Sequence, residues 1–192
     1  MAVEHNRLAI GTAIEVSEFH NLPAVAAKLD GTHPHDACFL PRTTHYTGDI
    51  QIHEMAWTGD DLLYLNTLFS CLCRRSPTYS FEPVWRPAFI HSYTPTDCCH
   101  LNGLCVTDSV PRYVTALGES DEPAGWRTNK RDGGILIDVE SNEIVSRGLS
   151  MPHSPRWHND QLWLLESGTG SLGTIDLQTG EYAPIVTLPG FT

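Results

Sequence analysis

Three histidines recur about 50 residues apart, and each is followed four residues later by a large apolar residue. The histidines are His53, His100 and His153, and the apolar residues are Trp57, Leu104 and Trp157. Imidazole nitrogen is a ligand that zinc, copper, iron and nickel accept. If the three rings converge, they predict a site for a divalent transition metal of unknown identity. A three-histidine metal with an open position lowers the pKa of bound water to about 7 and polarises a carbonyl, which suits hydrolysis of a lactone or ester. Copper or iron at the same ligands would favour oxidoreduction.

Polar residues beside these histidines complete the predicted site. Glu54 is the candidate general base, and Asn102 and Arg156 are the candidates for orienting a small-molecule substrate. The alternative is that the recurrent histidines hydrogen-bond to neighbouring backbone and fix the packing of repeated units. In that case the protein is a non-catalytic scaffold that binds another protein or a glycan.

Short β-rich runs alternate with clusters of Gly, Pro, Asn and Asp along the whole chain, and helical periodicity is nearly absent. The pattern predicts an all-β fold. A unit of roughly 40–50 residues with about four short strands is typical of a β-propeller blade. We expect blades at 7–41, 52–86, 101–147 and 154–188, the first one incomplete because its first strand is missing. Residues 1–192 then form a single partial propeller, a fragment of a six-bladed ring.

A propeller brings the starts of its inner strands to one mouth of a central channel, so equivalent residues on successive blades converge there. This is the reason for placing the three histidines, and a small-molecule partner, at the channel mouth. Residues 120–134 form a long insertion between two strands of one blade and contain Trp126. The insertion is either a binding loop or lid, or a segment that Trp126 anchors to the rim.

Composition excludes several classes of protein. The net charge is −11, which disfavours binding to nucleic acid or to an anionic membrane surface. No apolar run approaches the roughly 18–20 residues that span a bilayer. The first residues lack the features of a signal peptide, so we expect a cytoplasmic protein with reduced, mostly buried cysteines. Open blade edges would allow self-association.

A string of motifs resembles a bacterial family of conserved hypothetical proteins of unknown function. The motifs are GDIQIHEMAW (48–57), NTLFSCL (66–72), FEPVWRP (81–87), CHLNGL (99–104), DGGILIDV (132–139) and LSMPHSPRW (149–157). The resemblance covers nearly the whole chain and implies a longer propeller protein. A looser similarity is to gluconolactonase and regucalcin-like propellers, whose metal-binding Asn-Gly segment resembles NGLC at 102–105. That family has a carboxylate where this chain has His53 and His153, which implies a nitrogen-rich site in place of a calcium site.

Overall fold

The computed structural model describes residues 1–28 and 35–189, which form four antiparallel sheets of four strands each. Blade 1 contains β1 (Ala2–Glu4), β2 (Arg7–Gly11), β3 (Glu15–Asn21) and β4 (Phe39–Tyr46). Blade 2 contains β5 (Ile52–Thr58), β6 (Asp61–Asn66), β7 (Cys71–Arg74) and β8 (Glu82–Trp85). Blade 3 contains β9 (Leu101–Thr107), β10 (Val110–Ala116), β11 (Gly134–Asp138) and β12 (Ile144–Leu149). Blade 4 contains β13 (Pro152–His158), β14 (Gln161–Glu166), β15 (Ser171–Ile175) and β16 (Tyr182–Thr187).

Within each blade the strands pair in the order in which they occur along the chain. The first strands of successive blades are neighbours: β1 contacts β5, β5 contacts β9, and β9 contacts β13. Sheets that radiate from adjacent inner strands are the arrangement of a β-propeller. The predicted all-β fold and its four consecutive blades are therefore confirmed.

Blade 1 corrects one prediction, because its first strand is present. Residues Ala2–Glu4 pair with β2, with Ala2 opposite Ala9 and Glu4 opposite Arg7 across a two-residue turn. A strand of three residues is too short to show the alternation that identifies strands in a sequence. The blade therefore covers 2–46, and the predicted incomplete blade at 7–41 was wrong.

The hydrophobic core lies between the blades. Leu62 and Tyr64 of β6 are buried in the cluster shared with blade 1, whereas Leu63 and Leu65 are buried in the cluster shared with blade 3. Successive strand residues point to opposite faces, so a continuous apolar run can cover both faces of a blade. A third cluster joins blades 3 and 4. The cysteines in these clusters or beside them are buried as predicted: Cys71, Cys73, Cys98, Cys99 and Cys105.

Helical structure is confined to α1 (Pro23–Ala26) and a 3-10 helix at Gly125–Asn129 among the described residues. In the same part of the chain, no helix has the length and apolarity needed to cross a bilayer.

Candidate functional site

The inner strands β5, β9 and β13 are each seven residues long, and the residue before each one has a positive φ. These preceding residues are Gln51, His100 and Met151, with φ of 53°, 55° and 49°. The second residues of the three strands are His53, Asn102 and His153. Asn102, not His100, is thus the structural equivalent of the other two histidines, and the predicted equivalence of the three histidines was wrong.

The predicted alignment placed His100 two residues out of register with His53 and His153. Leu104 is the fourth residue of β9, whereas Trp57 and Trp157 are the sixth residues of their strands, where β9 has Val106. Because side chains in a strand alternate with a period of two, a slip of two residues leaves each side chain on the same face. The apolar pattern alone could not reveal it.

His53 and His100 nevertheless lie together, with ring centroids 4.6 Å apart in an edge-on arrangement. His53 Nδ1 is 3.0 Å from the Thr67 hydroxyl, which is buried and lies 2.6 Å from the Leu101 carbonyl oxygen. The single proton of the hydroxyl goes to that carbonyl, so His53 Nδ1–H must donate to Thr67. The Nε2 atom of His53 is left with a lone pair.

His100 is fixed in a similar way by a carboxylate. Its Nδ1 lies 2.8 Å from Oδ2 of Asp97, and the side chains of His100 and Asp97 are only 14% and 12% exposed. A nitrogen that donates to a carboxylate sets the tautomer of the ring. The neutral ring of His100 therefore also presents Nε2 as its acceptor.

The insertion at 120–134 reaches this pair through Trp126. The indole ring lies 4.3 Å from the His100 ring between centroids, and its Nε1–H donates to Asp97 Oδ2 at 3.0 Å. Trp126 is buried, so the insertion is anchored to blade 3. This outcome confirms the anchor alternative for Trp126. The guanidinium of Arg127 and the ammonium of Lys130 lie 4.5 Å and 5.4 Å from the same ring centre.

His153 belongs to a separate network with Asn102. The Asn102 amide nitrogen donates to the Pro152 carbonyl at 3.0 Å and to His153 Nε2 at 3.2 Å, while its oxygen accepts a 2.7 Å bond from the Thr115 hydroxyl. Partial burial, followed by the nearby charges of His53 and His100, lowers the pKa of His153 from 6.5 to about 4. Burial and the charge of His100 also lower the pKa of His53. His153 is thus held neutral, with its Nε2 already paired.

Glu54 and Arg156 lie on the inner strands of blades 2 and 4 and meet at Leu104 of blade 3. Glu54 Oε2 accepts the Leu104 N–H at 2.7 Å, and Arg156 donates to the Leu104 carbonyl at 3.2 Å. The two side chains also pair with each other. An inner strand has one edge without a strand partner, and these side chains satisfy its exposed backbone groups. Among the described residues, neither side chain hydrogen-bonds to the three histidines.

Beside the contact of Glu54 and Arg156 with Leu104, the inner strands of all four blades line a cavity of about 260 Å³. Its walls include Ala2, Glu54, Leu104, Arg156 and Trp157. The cavity lies where the inner strands of the four blades come together. The predicted general base and one predicted substrate-orienting residue face that space, away from the histidine pair.

Sequence reasoning missed Asp97, Thr67 and Trp126 as members of the site. Asp97 stands three residues before His100, and no motif marks it. Within residues 1–28 and 35–189, no group of three or more His, Cys, Asp or Glu side chains is arranged to hold a metal ion. The predicted three-histidine ligand set is therefore not assembled in this structure.

A family model described as a domain of unknown function (DUF4915) matches residues 1–192. The chain belongs to the DUF4915 family. This agrees with the predicted membership of a family of unknown function. No curated protein matches the chain.

Solved structures similar to this DUF4915 chain are distant in sequence. They include virginiamycin B lyase from Staphylococcus aureus, with 11% identity over 92% of this chain and 50% of that one, at a TM-score of 0.44. Two structures of AztD from Citrobacter koseri, one of them the apo form, each have 11% identity over 99% of this chain and 46% of AztD, at TM-scores of 0.43 and 0.42. The chain spans about half the length of these proteins. At these TM-scores the likeness carries no argument about activity.

Proposed function

We propose that the protein binds a small polar molecule at the channel mouth, where the inner strands begin, through the Nε2 atoms of His53 and His100. The observation that carries this proposal is the pair of rings 4.6 Å apart, each fixed from behind through Nδ1. Two acceptors held at fixed positions suit a molecule that offers adjacent O–H or N–H groups, such as a polyol or an amine. Binding sites are commonly preformed in this way.

We do not propose a catalytic role for Glu54 or Arg156, because their polar atoms are engaged at Leu104 and with each other. Asn102 also has its donors and acceptor engaged, by Pro152, His153 and Thr115. These three side chains connect the inner strands of neighbouring blades. Their contacts support a binding site whose inner strands are held rigidly in place.

The proposal is tested with a panel of simple sugars, polyols, amino acids and hydroxy acids. Each compound is added to the wild-type chain and to the His53→Ala variant, and the thermal unfolding midpoint is measured. We expect at least one compound class to raise the midpoint of the wild type and not of the variant, because only the wild type retains the paired acceptors. His91→Ala is the matched control, since His91 is an exposed histidine that also bonds to a carboxylate, that of Asp121.

Compounds that stabilise the wild type and His53→Ala equally would contradict the proposal. The competing function is a scaffold that binds a partner through the anchored insertion. It is favoured by the placement of Arg127 and Lys130 against Trp126, which presents positive charge on an acidic chain. In that case, a compound that raises the unfolding midpoint of the wild type should lose this effect in Arg127→Ala and keep it in His53→Ala.

A further inference from the structure

Asp97 carries a buried negative charge with little compensation. Its side chain is 12% exposed. Oδ2 accepts hydrogen bonds from His100 and Trp126, but Oδ1 is buried and has no hydrogen-bond partner within residues 1–28 and 35–189. A buried carboxylate is costly unless a positive charge accompanies it.

The only basic side chain that pairs with Asp97 in the described parts of the chain is His100. A cation bound at Nε2 of His100 would place positive charge on the far side of the ring that Asp97 holds. The carboxylate–histidine pair is the arrangement that commonly fixes a histidine ligand behind a metal ion.

His53 supplies the second nitrogen. Its Nδ1–H is tied to Thr67, so Nε2 is the nitrogen that this ring can offer to a cation bound at Nε2 of His100. Two imidazoles that share one zinc ion, with bonds of roughly 2.0–2.1 Å, have ring centres roughly 5 Å apart. The observed separation of 4.6 Å agrees with this value.

We propose that His53 and His100 together bind one divalent transition-metal ion of the zinc, copper or nickel class through their Nε2 atoms, with Asp97 and Thr67 fixing the two rings from behind. His153, predicted from the sequence as a third ligand, is left out of this pair because its Nε2 accepts from Asn102. With only two protein ligands, the ion keeps open positions for water or for an oxygen donor of a small molecule. The metal site rests on the proposed function in that it occupies the same site; with the ion bound, a small molecule would bind through the ion and not through the two Nε2 lone pairs.

The test is calorimetric titration of the chelator-treated full chain with zinc, using no other ligand. We expect one zinc ion per chain. His53→Ala and His100→Asn should each weaken binding by at least roughly tenfold through the loss of an imidazole ligand. Asparagine is chosen at position 100 because it tolerates a positive φ. Asp97→Asn should weaken binding roughly 10–100-fold, the usual effect of removing a carboxylate behind a ligand.

Two variants serve as controls. His153→Gln and His91→Ala should leave the zinc affinity unchanged within about twofold, because neither ring faces the ion in this assignment. A circular-dichroism spectrum of every variant shows whether it is folded. If His100→Asn does not fold, His53→Ala carries the test, because His53 lies outside the three buried hydrophobic clusters.

Three results would overturn the metal site. They are no zinc binding to the wild type, binding that survives both His53→Ala and His100→Asn, and a loss in His153→Gln as large as that in His53→Ala. If zinc does not bind but a compound still distinguishes the wild type from His53→Ala, the metal site fails and the proposed binding function stands. If zinc does not bind and no compound distinguishes the wild type from His53→Ala, the metal site and the proposed binding function both fail.

Discussion

The neutral state of His153 makes the stability of the protein sensitive to acid. Because burial lowers its pKa from 6.5 to about 4, the unfolded state binds more protons than the folded state between these values. The contribution of neutral His153 to the folding free energy is therefore fully present above pH 6.5 and is lost as the pH falls toward 4. From these two pKa values, His153 alone should remove at most roughly 2 kcal/mol of folding free energy between pH 7 and pH 5, and less because solvent screens the partly exposed ring.

The structural reason is the bond from the Asn102 amide to His153 Nε2. Protonation would place N–H donors opposite each other, and Asn102 cannot reverse its amide because its nitrogen also donates to the Pro152 carbonyl, which can only accept. The assay is urea unfolding of the wild type and of His153→Gln at a series of pH values from about 7 to about 5. The glutamine oxygen can accept the same bond and does not titrate.

We expect the wild type to lose about 1–2 kcal/mol more than His153→Gln over this range. The difference between the two proteins isolates His153, because His53, whose pKa is also lowered, is present in both. Equal loss in the two proteins would refute the reasoning. A wild type that gained stability on acidification relative to the variant would refute it more strongly, because the sign would be reversed.

Three further substitutions test the contacts between blades. Thr67→Val should destabilise the fold by about 1–3 kcal/mol because the buried Leu101 carbonyl loses its donor; Thr67→Ser, measured in the same urea series, should lose much less. Glu54→Leu should cost about 1–3 kcal/mol more than Glu54→Gln, since only glutamine can still accept the Leu104 N–H, and equal midpoints would contradict this role. Gly103→Ala should cost about 1–3 kcal/mol, because the new Cβ would crowd the Thr115 hydroxyl of the same blade and lie 2.5 Å from Pro155 Cδ of the next inner strand; an unchanged thermal midpoint would show that these neighbours can move aside at no cost.

The blades themselves could be predicted from local patterns. The apolar run at 62–65 is flanked by polar and turn residues, and residues 135–137 form a similar run after a Gly-Gly pair. Such runs fold as strands buried on both faces, which is what the inter-blade clusters show. The strand Ala2–Glu4 escaped notice because three residues provide too little pattern.

The candidate site was predicted in part. His53 and His100 were selected as partners and do lie together. The reason given for their meeting, equivalent positions on two blades, was wrong, because the sequence pattern does not distinguish registers two residues apart. His153, selected with them, bonds to Asn102.

The sequence by itself determined the all-β class, the number of consecutive blades and the recurrence of histidine near the start of inner strands, since strand periodicity and turn residues are local properties. Only the tertiary structure decided which nitrogen atoms remain free. That choice depends on Asp97, which is three residues before His100, and on Thr67 and Trp126, which reach the two rings from later parts of the same blades. The sequence does not show which polar side chains turn toward a ring, because the loops that carry them are placed only when the blade folds.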